Sequence, residues 1–173
     1  MAGRFQIIVG RIETLALDVV VNAANRRLLP GAGVDGALRT AAGPELTRHT
    51  SGMPPLDVGE AVLTPGFRLP ARYIIHTAAP IFNAGDNERV LIAGLARCYA
   101  SSLALASAHD LASIAFPCLG TGAFGWPRAL ACETALGACR AAQLLESCVQ
   151  RVVFCCFSEA DAAPYREALV SRI

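Results

Sequence analysis

The stretch Leu17-Asp18-Val19-Val20-Val21-Asn22-Ala23-Ala24-Asn25, continuing over residues 26–43 as RRLLPGAGVDGALRTAAG, decides the fold. The β-branched run Val19-Val20-Val21 predicts a strand over Leu17 to Asn22, buried on both faces. It stops at Asn22-Ala23-Ala24-Asn25, where two small residues separate two amides that can each donate and accept hydrogen bonds. A loop through Pro30, Gly31 and Gly33 follows. Val34, Leu38, Ala41 and Ala42 then recur at helical spacing, and Gly43 before Pro44 is a stop signal. Strand, glycine-bearing loop and helix N-terminus in succession offer bare backbone N–H groups and a positive dipole end, a setting that suits an anion and most often a phosphate. Asp35 sits in the first turn, where a carboxylate either supports the helix start or does chemistry.

Outward from this unit, strands and helices alternate. Arg4 to Val9 predicts a first strand ending at Gly10-Arg11-Ile12, and Pro44 to Thr50 a short helix with proline at its first position. Gly59 to Thr64 and Tyr73 to Thr77 predict two further strands. A long helix runs to His109, with Leu91, Leu95, Cys98, Ser102 and Leu105 along one face. Ser113 to Cys118 predicts a short buried strand, followed by the loop Leu119 to Trp126. Pro127 opens a helix reaching about Glu146, with Leu130, Thr134, Ala138, Ala141 and Leu145 as its inner stripe. Arg151 to Phe157 predicts the last strand, and Ser158-Glu159-Ala160-Asp161 resembles a capping box for a final helix. The alternation argues for a single three-layer α/β domain with a largely parallel sheet.

Composition narrows the function. The 173 residues suit one domain, and 54% apolar with 17% charged residues describe a globular chain with much of it buried. No apolar run approaches the length of a membrane span, and the N-terminal Met1-Ala2-Gly3-Arg4-Phe5 lacks the features of a signal peptide. A net charge of +1 without a basic block gives no footprint for nucleic acid. All fifteen basic residues are arginine, which excludes a P-loop lysine and Schiff-base chemistry. The seven cysteines are odd in number and have no CxxC spacing; they read as reduced, mostly buried thiols of a cytoplasmic protein. His49, His76 and His109 are isolated from any ligand spacing and read as structural, so no metal is expected.

Two glycine loops carry the chemistry. Gly31-Ala32-Gly33-Val34-Asp35-Gly36 formally matches the dinucleotide fingerprint, but residues 23–30 separate it from its strand, and the later acid could only be Asp57, just beyond Pro54-Pro55. A Rossmann oxidoreductase is therefore disfavoured. The loop at Gly120-Thr121-Gly122 repeats the strand–glycine–helix arrangement, and two such loops at carboxyl ends of strands can grip a diphosphate from both sides. A β-branched residue at Gly122 is expected to block the phosphate's approach and to resist a positive φ.

NAAN (22–25) followed by GAGVDGAL (31–38), and later FPCLGTGAFGWP (116–127), resemble the macro domain family over nearly the whole chain. The resemblance implies an α/β/α domain with a mixed, largely parallel sheet of about six strands. It also implies ADP-ribose binding, most similar to bacterial members that deacetylate O-acetyl-ADP-ribose or remove mono-ADP-ribose from proteins. It implies no cofactor. Asn25 would orient the distal ribose and Asp35 would position or activate the attacking water. Ala23, Gly31, Gly33 and Val34 would line the ligand on one side, and Gly120, Thr121, Gly122, Ala123 and Phe124 on the other. Ile12 would meet the adenine through its backbone and Phe157 would stack on it. Asn22, Arg26 and Arg27 read as strand-end packing and solvated loop charge, Trp126 and Tyr73 as core. The chain departs from the family pattern at Arg11, where an acid is usual, at Phe124 for tyrosine, at Arg39 for histidine and at Ala79 for glycine. Arg11 offers no acceptor to an adenine amino group; it can face solvent, pair with Glu13 or stack on the base. The competing readings are a non-catalytic ADP-ribose reader and an ADP-ribose 1″-phosphate phosphatase.

Overall fold

In the computed structural model, which describes residues 4–143 and 147–170, the alternation becomes one sheet covered by helices on both faces. The strands are β1 (Phe5–Val9), β2 (Val19–Ala23), β3 (Ala61–Pro65), β4 (Tyr73–Thr77), β5 (Ser113–Phe116) and β6 (Arg151–Cys156). They lie in the order β1-β6-β5-β2-β4-β3, and every pairing is parallel except that of β3 with β4. The expected mixed, largely parallel sheet is present.

Helices α1 (Gly33–Ala42) and α2 (Pro44–Ser51) cover one face; α3 (Glu88–Ala108), α4 (Arg128–Gln143) and α5 (Glu159–Val170) cover the other. This explains the unbroken valine run. Val20 packs with Leu38, Ala42 and Leu46, while Val19 and Val21 pack into the layer of Leu95, Leu103 and Ala135, so no residue of β2 has a solvent side to make polar. Helix ends follow local chemistry. Pro44 opens α2, Asn87 Oδ1 accepts from the Arg89 N–H at the start of α3, and Ser158 Oγ accepts from the Asp161 N–H at the start of α5.

Some boundaries move. β5 ends at Phe116 rather than Cys118, because Pro117 has no N–H for the ladder. β2 starts at Val19 because the Asp18 carboxylate is turned to the start of β5, accepting from the Ala112 and Ser113 N–H groups. Residues 12–14, read only as a strand end, form a single 3-10 turn. Leu145 and the expected helix end at Glu146 lie outside the described residues. By length and composition α3 is apolar enough to cross a bilayer, which the sequence reading did not anticipate; its face of Leu91, Leu95, Cys98, Tyr99, Ser102, Leu103 and Ala106 is buried in the core.

Because β1, β6, β5, β2 and β4 run parallel, their carboxyl ends share one edge of the sheet. That edge is where open α/β sheets bind ligands.

Candidate active site

β2 and β5 are neighbours, so the loop after Ala23 and the loop after Phe116 leave the same edge side by side. Arg11 and Ile12 follow β1 there, and Phe157 follows β6, with the Gly10 N–H bonded to the Cys156 carbonyl at 2.9 Å. The elements that carry the expected site residues thus meet at one edge.

The first loop is braced by its own amide. Asn25 Nδ2 donates to the Leu29 carbonyl at 2.6 Å, and Asn25 Oδ1 accepts from the Leu29 N–H at 3.1 Å. This brace, with the buried Leu28 side chain, holds Leu28 at φ 57°, a conformation non-glycine residues seldom adopt. One proton and one lone pair of the Asn25 carboxamide have no partner among the described residues. Arg26 is exposed, as its sequence context suggested, and also ties the loop to the next segment: its Nε donates to the Leu56 carbonyl and its Nη2 pairs with the exposed Asp57.

The Gly31 N–H is spent inside the protein, donating to Asp35 Oδ2 at 2.7 Å. The N–H groups of Gly33, Val34 and Asp35, the first turn of α1, have no acceptor among the described residues. Ala32, which precedes α1, makes no side-chain cap.

In the second loop the Thr121 N–H and hydroxyl both return to the Cys118 carbonyl, and the Gly125 and Trp126 N–H groups close the turn onto Gly122 and Gly120. The N–H groups of Gly122, Ala123 and Phe124 have no acceptor among the described residues. Gly120 has φ 84° and lies under the Trp126 indole, so that a Cβ would fall 2.4 Å from Trp126 Cδ1; this position requires glycine. Gly122 differs from expectation. Its φ is not in the left-handed region, and a Cβ there would meet open space. A side chain at 122 would therefore be resisted only by whatever enters the cleft. Trp126 is in the core as read, its Nε1–H donating to the Pro80 carbonyl at 2.8 Å.

Asp35 is the centre of a buried polar network. It is 3% exposed, and its carboxylate accepts from Asn22 Nδ2 at 2.7 Å, from the Gly31 N–H and from Arg39 Nε at 2.8 Å. Three of roughly four acceptor positions on a carboxylate are thus filled. Arg39, 7% exposed, spends three of its four remaining donors on Thr47 Oγ1, Thr50 Oγ1 and the Leu28 carbonyl. The network joins α1, α2 and both ends of the first loop. It fixes where the loop's free amides stand. Asn22, fully buried, spends both amide protons on Asp35 and on His76 Nδ1 at 3.0 Å. That makes Nδ1 of His76 an acceptor and Nε2–H the donor to Thr64 Oγ1, whose hydroxyl passes on to the Pro65 carbonyl. Asn22 Oδ1 has no partner among the described residues.

Sequence reasoning took Arg39 only as a departure and His76 only as structural. The four-residue spacing of Asp35 and Arg39 on one helix was the available signal for their pairing. Nothing local in the sequence joins Asn22 to His76, which meet through the β2–β4 register.

Burial, with the Arg39 guanidinium nearby, pushes the His76 pKa down to about 4. An unfolded histidine binds its proton near pH 6.5, so below that pH the unfolded chain gains a proton that the folded one refuses. Folding stability from this group is complete above pH 6.5 and is lost as the pH falls toward 4, by about 3 kcal/mol. Urea midpoints across this window should drop more steeply for the wild type than for His76→Gln. Parallel curves would show that His76 does not carry the dependence.

At the β1 and β6 ends, Arg11 takes the second of its three options. Its Nε pairs with Glu13 Oε1 at 2.6 Å, and Glu13 is buried. An acid substituted at position 11 would face the Glu13 carboxylate, so that change would add like-charge repulsion beside the pocket. Ile12 is buried against α1, its carbonyl accepting from the Leu15 N–H, whereas Phe157 is 84% exposed.

Comparison with known proteins agrees with this geometry. The family model described as Macro domain matches residues 21–135. A macro domain-containing protein of Ralstonia nicotianae is 49% identical over 91% of this chain and 90% of its own length. An O-acetyl-ADP-ribose deacetylase of Klebsiella pneumoniae is 43% identical over 99% of each chain. An ADP-ribose glycohydrolase of Bos taurus is 45% identical over 92% of this chain, which spans 49% of that longer protein. Among solved structures, the Oceanobacillus iheyensis macrodomain with ADP superposes with a TM-score of 0.89 at 39% identity, covering 96% of this chain and 92% of that one. With the family model matching well over half of its residues, the chain belongs to the macro domain family.

Proposed function

We propose that this chain hydrolyses an ester or glycosidic bond at the distal ribose of an ADP-ribose derivative. One observation carries the reading. Two neighbouring loops present the unspent N–H groups of Gly33, Val34, Gly122, Ala123 and Phe124 at the edge where Asp35 is locked in place. A diphosphate suits such donors without any lysine, because aligned backbone amides at a helix start carry partial positive charge. The exposed Phe157 ring offers a purine a stacking face beside the Ile12 backbone. Asn25 then orients the ribose hydroxyls with the free half of its carboxamide. Asp35 holds the loop through the Gly31 N–H and directs water with its remaining acceptor position, toward an acetyl carbonyl or C1″. The names of the relatives, a deacetylase and a glycohydrolase, support both leaving groups.

The test compares turnover of O-acetyl-ADP-ribose, a mono-ADP-ribosylated protein and ADP-ribose 1″-phosphate. Release of acetate or of protein-linked ADP-ribose is expected. Turnover of the phosphate alone would make the chain a phosphatase, and tight binding with no turnover would make it a reader.

The second loop gives a separate check. Gly122→Val should abolish detectable ADP-ribose binding by calorimetry, because its side chain would occupy the space reserved for the phosphates. Its folding stability should stay within about 0.5 kcal/mol of wild type, as expected for a substitution into open space. Unchanged affinity would mean that this loop is a turn and no more.

A further inference from the structure

Two thiols stand at the root of the second loop. Cys118 Sγ donates to Cys156 Sγ at 3.6 Å, the one thiol–thiol contact among the described residues, and all seven cysteines are free. The pairing is set by the sheet. β5 and β6 are parallel with Phe116 opposite Phe154, so two residues further on Cys118 comes opposite Cys156. Adjacent strands hold opposed Cα atoms about 5 Å apart, inside the span a disulfide bridges. Cys118 is half-buried and Cys156 is buried.

Each of the two cysteines is wired to the cleft. The Cys118 carbonyl accepts both the N–H and the hydroxyl of Thr121, and so anchors the turn that carries Gly122, Ala123 and Phe124. The Cys156 carbonyl holds the Gly10 N–H, and the next residue is Phe157. Closing the sulfurs from 3.6 Å to the bonded distance of about 2 Å draws the two residues together, and any part of that travel taken up by backbone instead of side-chain rotation strains these hydrogen bonds.

We propose that Cys118 and Cys156 form a reversible disulfide that retracts the second loop and weakens ligand binding at the cleft. The identity of the ligand, ADP-ribose, rests on the function proposed above; the thiol chemistry does not. The oxidant is a low-molecular-weight disulfide. The Cys118 thiol gives up its proton and its sulfur attacks one sulfur of the oxidant, breaking the S–S bond and releasing one small thiol that takes the proton. The Cys156 sulfur then attacks Cys118 in the mixed disulfide, and the second small thiol leaves with the Cys156 proton. Two cysteine sulfurs are oxidised by two electrons together, and one small disulfide is reduced to two thiols. The hydrogen bond to Cys156 and burial hold the Cys118 thiol well above its usual range, so the first attack is slow and needs an oxidising poise. Disulfides that persist only under oxidising poise are the regulatory kind in reducing compartments.

The experiment equilibrates the full chain in buffers of oxidised and reduced glutathione and reads three things. Peptide mass mapping should find a Cys118–Cys156 link that dithiothreitol removes. Emission of Trp126, the single tryptophan, should change with the link, because its indole lies on Gly120 within the loop. ADP-ribose affinity should fall about tenfold or more on oxidation and recover on reduction, with no response in Cys118→Ser or in Cys156→Ala. No link at an oxidising poise overturns the proposal, and so does a link that changes neither emission nor affinity. If the reduced protein fails to bind ADP-ribose at all, the function proposed above falls. The link and the Trp126 emission would then still decide whether the pair moves the loop.

Discussion

Replacing Arg39 with alanine is expected to lower folding stability by about 3–5 kcal/mol, the usual cost of leaving one partner of a buried ion pair alone. Arg39 and Asp35 are both almost fully buried and lie 2.8 Å apart. Removing the guanidinium strands the Asp35 carboxylate away from water. It also releases the Thr47 and Thr50 hydroxyls and the Leu28 carbonyl. The first loop, whose Leu28 holds a strained φ, loses one of its anchors at the same time. Arg39→Lys should recover only part of the loss, because an ammonium matches the charge but cannot reach all of these acceptors in one geometry. Urea unfolding of the three proteins measures the difference. A loss below about 1 kcal/mol for Arg39→Ala is what exposed pairs show, and it would mean that water reaches this one.

Asp35→Ala should cut turnover by about a hundred- to ten-thousand-fold, the range for losing a positioned acid or base. The same substitution frees the Gly31 N–H and leaves Arg39 unpaired, so part of the effect is expected as lost stability. Asp35→Asn separates the two. Its volume and one carbonyl oxygen are kept, so Gly31 and Arg39 retain an acceptor, while the carboxylate proposed to direct water is gone. Folded Asp35→Asn protein should bind ADP-ribose and turn over substrate little faster than Asp35→Ala. Near-normal turnover by Asp35→Asn would show that Asp35 shapes the loop and takes no part in the reaction.

The sequence made the frame legible for a plain reason. A valine run buried on both faces, and glycine loops between strand and helix patterns, are local features that a parallel sheet demands. The loops whose backbone amides are left without acceptors, at Gly33 and at Gly122 to Phe124, were legible for the same reason. The polar network was not. Asn22, His76 and Thr64 meet only because β2 registers against β4 and β4 against β3, and register cannot be read from any one strand. Gly122 was misjudged because glycine suits either a left-handed φ or a close approach, and only backbone geometry tells these apart. Asn25 gained a role unseen in the motif, since its contact with Leu29 depends on how the loop folds back.

The most direct test of the central claim is product analysis by mass spectrometry after O-acetyl-ADP-ribose is incubated with a catalytic amount of the protein. Cleavage at the distal ribose predicts ADP-ribose and acetate in equal amounts, over many turnovers, with the diphosphate intact. Substrate recovered unchanged from a tight complex, or AMP released by cleavage between the phosphates, would contradict it.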